Sequence, residues 1–170
     1  MQNWTKKIEH INEQIGKSVS WLTFLLVLIV CFDVVSRYLF KISFVSIQEL
    51  EWHLFAIIFL TAAPYTLKLD GHVRVDIIYS KLSERKQAII NLIATIIFLI
   101  PFCLLMIYTS KDFVINSFMV NETSPDPGGL PARYILKAII PLSFFMLLLQ
   151  ALALVITSAL KLSSTSKGEI

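Results

Sequence analysis

Apolar residues fall in four long runs, roughly Trp21–Tyr38, Trp52–Leu67, Ala88–Tyr108 and Tyr134–Leu160, and polar, turn-rich segments separate them. Crossing ~30 Å of hydrocarbon takes about 20 mostly apolar residues in a helix. The third and fourth runs exceed that length. The first and second sit near the lower limit and use interfacial residues at their ends. Runs of this length predict helices and not strands. The pattern therefore predicts an all-α membrane protein with four transmembrane helices.

The first 18 residues carry a different pattern. Trp4, Ile8, Ile11 and Ile15 recur at spacings of four, three and four, which places them on one helix face. Lys6, Lys7, Glu9, Glu13 and Lys17 fill the other faces. Residues 1–18 read as an amphipathic interfacial helix lying on the membrane surface. The chain then divides into that helix, a four-helix transmembrane domain over 19–162 and a polar tail over 163–170.

Charge adds orientation. Even-numbered crossings put both termini on one side. Ten Lys and Arg residues lie on that side, in the N-terminus, the second loop and the C-terminus, against five on the other. Basic loops stay in the cytoplasm, so both termini are expected there. The net charge of +3 is thus topological, and no basic patch with interleaved aromatics points to nucleic acid. Composition agrees: 56% of residues are apolar, above the ~45–50% of soluble domains. Cys31 and Cys103 lie inside apolar runs and read as small buried hydrophobes. The first run continues into Asp33 and Arg37 with no small-residue cleavage site, unlike a signal peptide.

Prolines and turn residues set the expected breaks. Pro64 is expected to kink the end of helix two, and Pro101 and Pro141 lie inside helices three and four. Lys68-Leu69-Asp70-Gly71 has turn chemistry. Ser83 is placed to cap helix three. A long loop is expected over Ser110–Pro131, with Pro131 in the first turn of helix four. All five glycines lie outside the apolar runs, so no glycine-based helix-packing motif is expected.

The polar residues near the runs are the candidate sites. Asp33 and Arg37 share a helix face. They read either as an internal ion pair or as groups facing a partner subunit. Glu49, Trp52 and His53 share a face of helix two, and Glu51 points elsewhere. Gln150 sits near the middle of helix four, bonded across to another helix or to its own backbone. No carboxylate or lysine lies at the middle of a run, where a transporter with its own substrate path usually carries polar groups. No Ser/His/Asp or Cys/His set suggests catalysis, and no metal-ligand spacing appears. His53 and His72 are 19 residues apart, about 28 Å along a helix, too far to share a haem.

Four segments in order resemble one family. They are Asp33-Val34-Val35-Ser36-Arg37-Tyr38, Gln48-Glu49-Leu50, Gly71-His72-Val73-Arg74-Val75-Asp76, and Gly129-Leu130-Pro131-Ala132-Arg133-Tyr134 ahead of a helix with Pro141 and Gln150. The chain over about 20–160 is similar to the DctQ-like (SiaQ-like) small membrane subunit of tripartite ATP-independent periplasmic (TRAP) transporters. Two departures stand out. The family often has a tryptophan before a Glu-Glu pair, where this chain reads Phe44-Val45-Ser46-Ile47-Gln48-Glu49. The family's small Gly-Ala segment in helix two reads Thr61-Ala62-Ala63.

The resemblance implies a non-catalytic, multi-pass subunit of the bacterial inner membrane. It implies a large membrane transport subunit as partner, which carries the sodium and substrate sites, and a periplasmic substrate-binding protein. Membrane lipid is the remaining partner, and no cofactor is implied in this chain. The implied task is to scaffold a sodium-driven importer of organic acids, with C4-dicarboxylate and sialic acid both open. His72, Arg74, Asp76, Gln150 and Asp33 are candidates for contact with the large subunit or for structural roles. The bland reading of the first three is a solvated loop in which Asp76 caps a short helix. Arg37, Lys41, Glu49, Lys111 and Arg133 are candidates for docking the binding protein. The competing readings are a membrane anchor of a redox complex and a small autonomous exporter.

Overall fold

A computed structural model describes residues 2–69, 79 and 81–167. His72, Arg74 and Asp76 lie outside the described residues. Five α-helical segments make four long helices: α1 (Gln2–Leu39), α2 (Val45–Lys68), α3 (Glu84–Ala94) joined through a π-helical turn at Thr95–Leu99 to α4 (Ile100–Met119), and α5 (Arg133–Lys167). Each is long and apolar enough to cross a membrane. No strand occurs among the described residues.

Helix α5 is the centre. It packs on α1, α2, α3, the π turn and α4, while α1 makes its other large contact with α2. Its buried positions include Ser143, Leu147, Gln150, Ala151, Ala153 and Ser158. Small side chains at a crossing let backbones come close, which is how membrane helices gain packing energy when lipid is as apolar as leucine. Leu147 and Ala151 meet Leu67 of α2 and Cys103 of α4 in the core. Most large apolar side chains point outward instead, among them Phe24, Phe55, Phe59, Phe98 and Phe145. That inversion suits a hydrocarbon solvent.

Several hydroxyls inside the bundle are satisfied by their own helix. Ser143 Oγ donates to the Ile139 carbonyl at 2.7 Å, and Thr61 Oγ1 to the Ile57 carbonyl at 2.6 Å. Such back-bonding lets hydroxyls sit where no water is available.

Several expectations change. The interfacial segment and the first crossing form one unbroken helix of 38 residues, about 57 Å long. The face that packs on the other helices is a separate one from the apolar Trp4/Ile8/Ile11/Ile15 stripe. Thr5, Asn12, Gly16 and Val19 are buried, while Trp4 and Ile11 are exposed. Gly16 explains the choice: a Cβ there would lie 2.4 Å from Tyr65 Cγ, so α1 and α2 touch at this glycine. A glycine-mediated contact therefore exists, just outside the apolar run. Cys103 is fully buried, but Cys31 faces outward.

The expected loop over Ser110–Pro131 is shorter, because α4 runs on to Met119. Lys111 and Asp112 are exposed on its surface, and the apolar Phe113-Val114-Ile115 continues the helix past them. Pro131 precedes α5, which starts at Arg133 after Ala132 turns the chain with φ 59°. Ser83 occupies the N-cap position of α3 with extended backbone, but its side chain makes no capping bond. The side chain of Gln87 instead reaches back to the Tyr79 and Leu82 carbonyls.

Pro101 acts through the turn before it. Its ring crowds the carbonyl four residues back, and it has no N–H to give. The wider π turn at Thr95–Leu99 absorbs this, with the Ile100 N–H donating to the Thr95 carbonyl. Pro64 and Pro141 are carried inside α2 and α5 without breaking them.

Candidate functional site

The loops 40–44 and 120–132 lie at one end of the bundle, here the loop end, and the start of α1 and the end of α5 lie at the other, here the terminal end. Polar chemistry at the loop end gathers on Glu49, in the second turn of α2. Glu49 is buried, 4% exposed. Its Oε2 accepts the Leu130 backbone N–H at 2.6 Å. Its Oε1 accepts from the Ser124 hydroxyl and from Arg133 Nη2 at 2.9 Å. One carboxylate thereby ties α2 to both limbs of the loop 120–132 and to the start of α5.

The loop is shaped for this grip. The Ser124 N–H donates to the Leu130 carbonyl at 3.1 Å and the Gly129 N–H to the Asp126 carbonyl at 3.0 Å, which folds the segment back on itself. Gly128 takes φ 80°, which favours glycine. Gly129 is required by space: a Cβ there would meet Ser124 at 2.4 Å and Glu49 Oε2 at 2.8 Å. The N–H of Arg133 donates to the Glu122 carbonyl at 2.9 Å.

A second pair backs the first. Lys137 Nζ is bonded to the Glu122 carboxylate and lies 4.0 Å from the centroid of the Phe113 ring. Arg133 lies over the Trp52 ring at 5.6 Å. Both cation–aromatic contacts belong to the favourable range. The bond to Lys137 holds the Glu122 carboxyl below its usual value. Beneath the two ion pairs is an apolar crevice of about 240 Å³ between α2, α4 and α5, walled by Trp52, Leu60, Phe113 and Ile140 among others.

Toward the terminal end the links are different. Asn12 Nδ2 donates to Gln150 Oε1 at 2.7 Å, joining α1 to α5 with both side chains buried. Gln150 thus bonds across to another helix. Lys68 at the end of α2 reaches Glu13 at 2.8 Å and the Glu9 carbonyl at 3.2 Å. Glu13 also pairs with Lys17 at 2.8 Å.

The candidate residues divide accordingly. Glu49 and Arg133, read from the sequence as loop-end charges, are turned inward onto each other. Asp33 and Arg37 form an ion pair on α1, with Asp33 buried and Arg37 half exposed. Lys41 is exposed in the turn between α1 and α2, and Lys111 on α4. The sequence reading missed Ser124, the Leu130 N–H, the Glu122–Lys137 pair and Asn12. A signal existed for the first two: a carboxylate one turn into an apolar helix needs donors, and the turn-rich segment ahead of Arg133 supplies them. A carboxylate that already accepts three bonds has little left for a substrate. Among the described residues no three His, Cys, Asp or Glu side chains come together to hold a metal ion.

The sequence model of the family described as tripartite ATP-independent periplasmic transporters, DctQ component, matches residues 26–161. No curated protein matches the chain. The match covers well over half of the sequence, and the chain belongs to this family. It is the small membrane subunit of a TRAP transporter, a non-catalytic and multi-pass membrane protein. The family works with a large membrane subunit and a periplasmic binding protein.

Proposed function

We propose that this chain is the rigid scaffold of a sodium-driven, binding-protein-dependent importer of organic acids in the bacterial inner membrane. In this reading C4-dicarboxylates and sialic acid are the two substrate classes to test. The large subunit carries the sodium and substrate sites, and this chain contributes no cofactor. Its terminal end faces the cytoplasm and its loop end faces the periplasm, as the ten-to-five distribution of Lys and Arg suggests.

The observation that carries the scaffold reading is how the buried polar groups are spent. Glu49 is held by Ser124, Leu130 and Arg133, and Gln150 by Asn12. These bonds fix helices to one another instead of lining a path. Outside them lies a sheath of large apolar side chains, which suits lipid and a membrane partner.

The test is purification of the tagged chain from its native host in mild detergent, followed by reconstitution. The expected result is a large polytopic subunit in about equal amount, with uptake that needs the periplasmic binding protein and stops when the sodium gradient is collapsed. A flavin or iron–sulfur subunit in its place would make the chain a redox anchor. Recovery of the chain alone, as a homo-oligomer, would point to an autonomous exporter.

A further inference from the structure

Asp33 and Glu51 each keep a buried carboxylate oxygen that the bonds described so far do not use. Asp33 lies six residues before the end of α1, and Glu51 lies six residues after the start of α2. Both are therefore about 9 Å below the loop end of an antiparallel helix pair. Glu51 lies within electrostatic reach of Asp33 and Arg37. Two carboxylates thus lie near one guanidinium, which pairs with Asp33 and not with Glu51.

The bonding is incomplete. Arg37 bonds Asp33 through Oδ2 only. Asp33 Oδ1 is buried and has no hydrogen-bond partner, and Asp33 as a whole is 2% exposed. Glu51 Oε1 is also buried without a partner. Among the described residues no donor reaches Glu51, and Lys41 in the adjoining turn bonds neither acid. An unmatched negative charge next to lipid is costly and normally finds a counter-charge.

Glu51 is only partly buried. It stands half-buried at the head of a stripe on α2 that turns outward at i+4 and i+8 with Phe55 and Phe59, which are 60% and 68% exposed. These two rings stack with centroids 6.4 Å apart. The stripe is a flat aromatic ladder with an unmatched acid at its top.

We propose that the Glu51–Phe55–Phe59 stripe docks a transmembrane helix of the large subunit that carries a Lys or Arg about two turns from its periplasmic end. The partner's cation completes the Asp33–Arg37–Glu51 cluster, and its apolar side chains lie on the two phenylalanines. The inference rests on the scaffold reading for the existence and orientation of the partner. The face and the charge come from this chain.

The experiment compares wild type, Glu51→Gln and Glu51→Lys in tagged co-purification with the large subunit. Expected are equal expression and monodispersity of the isolated chains, a severalfold loss of captured large subunit for Glu51→Gln, and a loss of about tenfold or more for Glu51→Lys. Reversal of the matching Lys or Arg to Glu in the large subunit should restore capture by Glu51→Lys. A second readout uses Phe55→Cys in a chain with Cys31 and Cys103 replaced. A lipid-soluble maleimide should label it in the isolated chain and not in the complex. Full capture by both Glu51 variants, or equal labelling of Phe55→Cys in chain and complex, would overturn the docking face and leave the scaffold reading standing. Failure of wild type to capture any large subunit would remove both. A Glu51→Gln chain that keeps full capture and becomes more stable would mean that a proton, and not a partner, neutralises the cluster.

Discussion

The two ends of the bundle are held by different means. At the loop end, one buried carboxylate accepts three bonds, and a second ion pair stands beside it. Toward the terminal end, a neutral amide pair joins α1 to α5, and a glycine lets α1 rest on Tyr65. Charge-assisted bonds are roughly twice as strong as neutral ones, and a buried charge that loses its partner is left stranded. Neutral amide pairs in membranes contribute far less, because the separated helices find other partners. The loop end is therefore held by a buried carboxylate, and the terminal end by close fit, a neutral amide pair and the more exposed Lys68–Glu13 ion pair.

Substitutions can break this comparison. The largest effect is expected from Glu49→Ala, which strands the Arg133 guanidinium and frees two anchor points of the loop 120–132. It should lower the unfolding midpoint more than any other change below and open that loop to protease. A loss no greater than that at the amide pair would overturn the contrast. Next come the two glycines. Gly129→Ala pushes a methyl group into Ser124 and Glu49, and Gly16→Ala pushes one into Tyr65. Each should cost about 1–3 kcal/mol as overpacking, read by denaturant unfolding in mixed micelles. Gly16→Ala should also separate α1 from α2, which a spin-label distance across the pair would detect.

A smaller effect is expected at the amide pair. Replacing Asn12 and Gln150 by leucine, singly and together, should give a coupling of about 0.6 kcal/mol and not above about 1.7 kcal/mol. The smallest effect concerns acid. Because the folded state holds the Glu122 carboxyl below its usual value, chiefly through Lys137, its contribution is present above the unfolded value. It is lost as pH falls through the depressed folded value. Glu122→Gln should therefore lower the unfolding midpoint slightly near neutral pH and flatten its decline in acid. An unchanged acid limb would place the sensitivity elsewhere.

Legibility in the sequence followed the length scale of the signal. Four apolar runs are long-range features, and all four became helices of the expected number and order. Helix ends were less legible. Lys111 and Asp112 read as loop residues, yet a helix that leaves the hydrocarbon can carry charges on its surface, so α4 runs on to Met119. The Trp4/Ile8/Ile11/Ile15 face read as the apolar side of an amphipathic helix on the membrane surface, and that reading did not say which side meets the other helices. The structure buries Thr5, Asn12, Gly16 and Val19, because polar and small side chains, not large apolar ones, join helices when the solvent is hydrocarbon.

The sequence alone determined that this is a four-helix membrane protein of the DctQ family, because hydrophobic length and motif order are properties of the chain. It also singled out Glu49 and Arg133 as loop-end charges and Gln150 as a mid-helix amide in need of a partner. Only the tertiary structure decided which partners they take. Arg133 lies 84 positions from Glu49, and Asn12 lies 138 from Gln150. Pairings at such separations depend on helix rotation and on close approach at single glycines, and neither is written in the periodicity of any one helix.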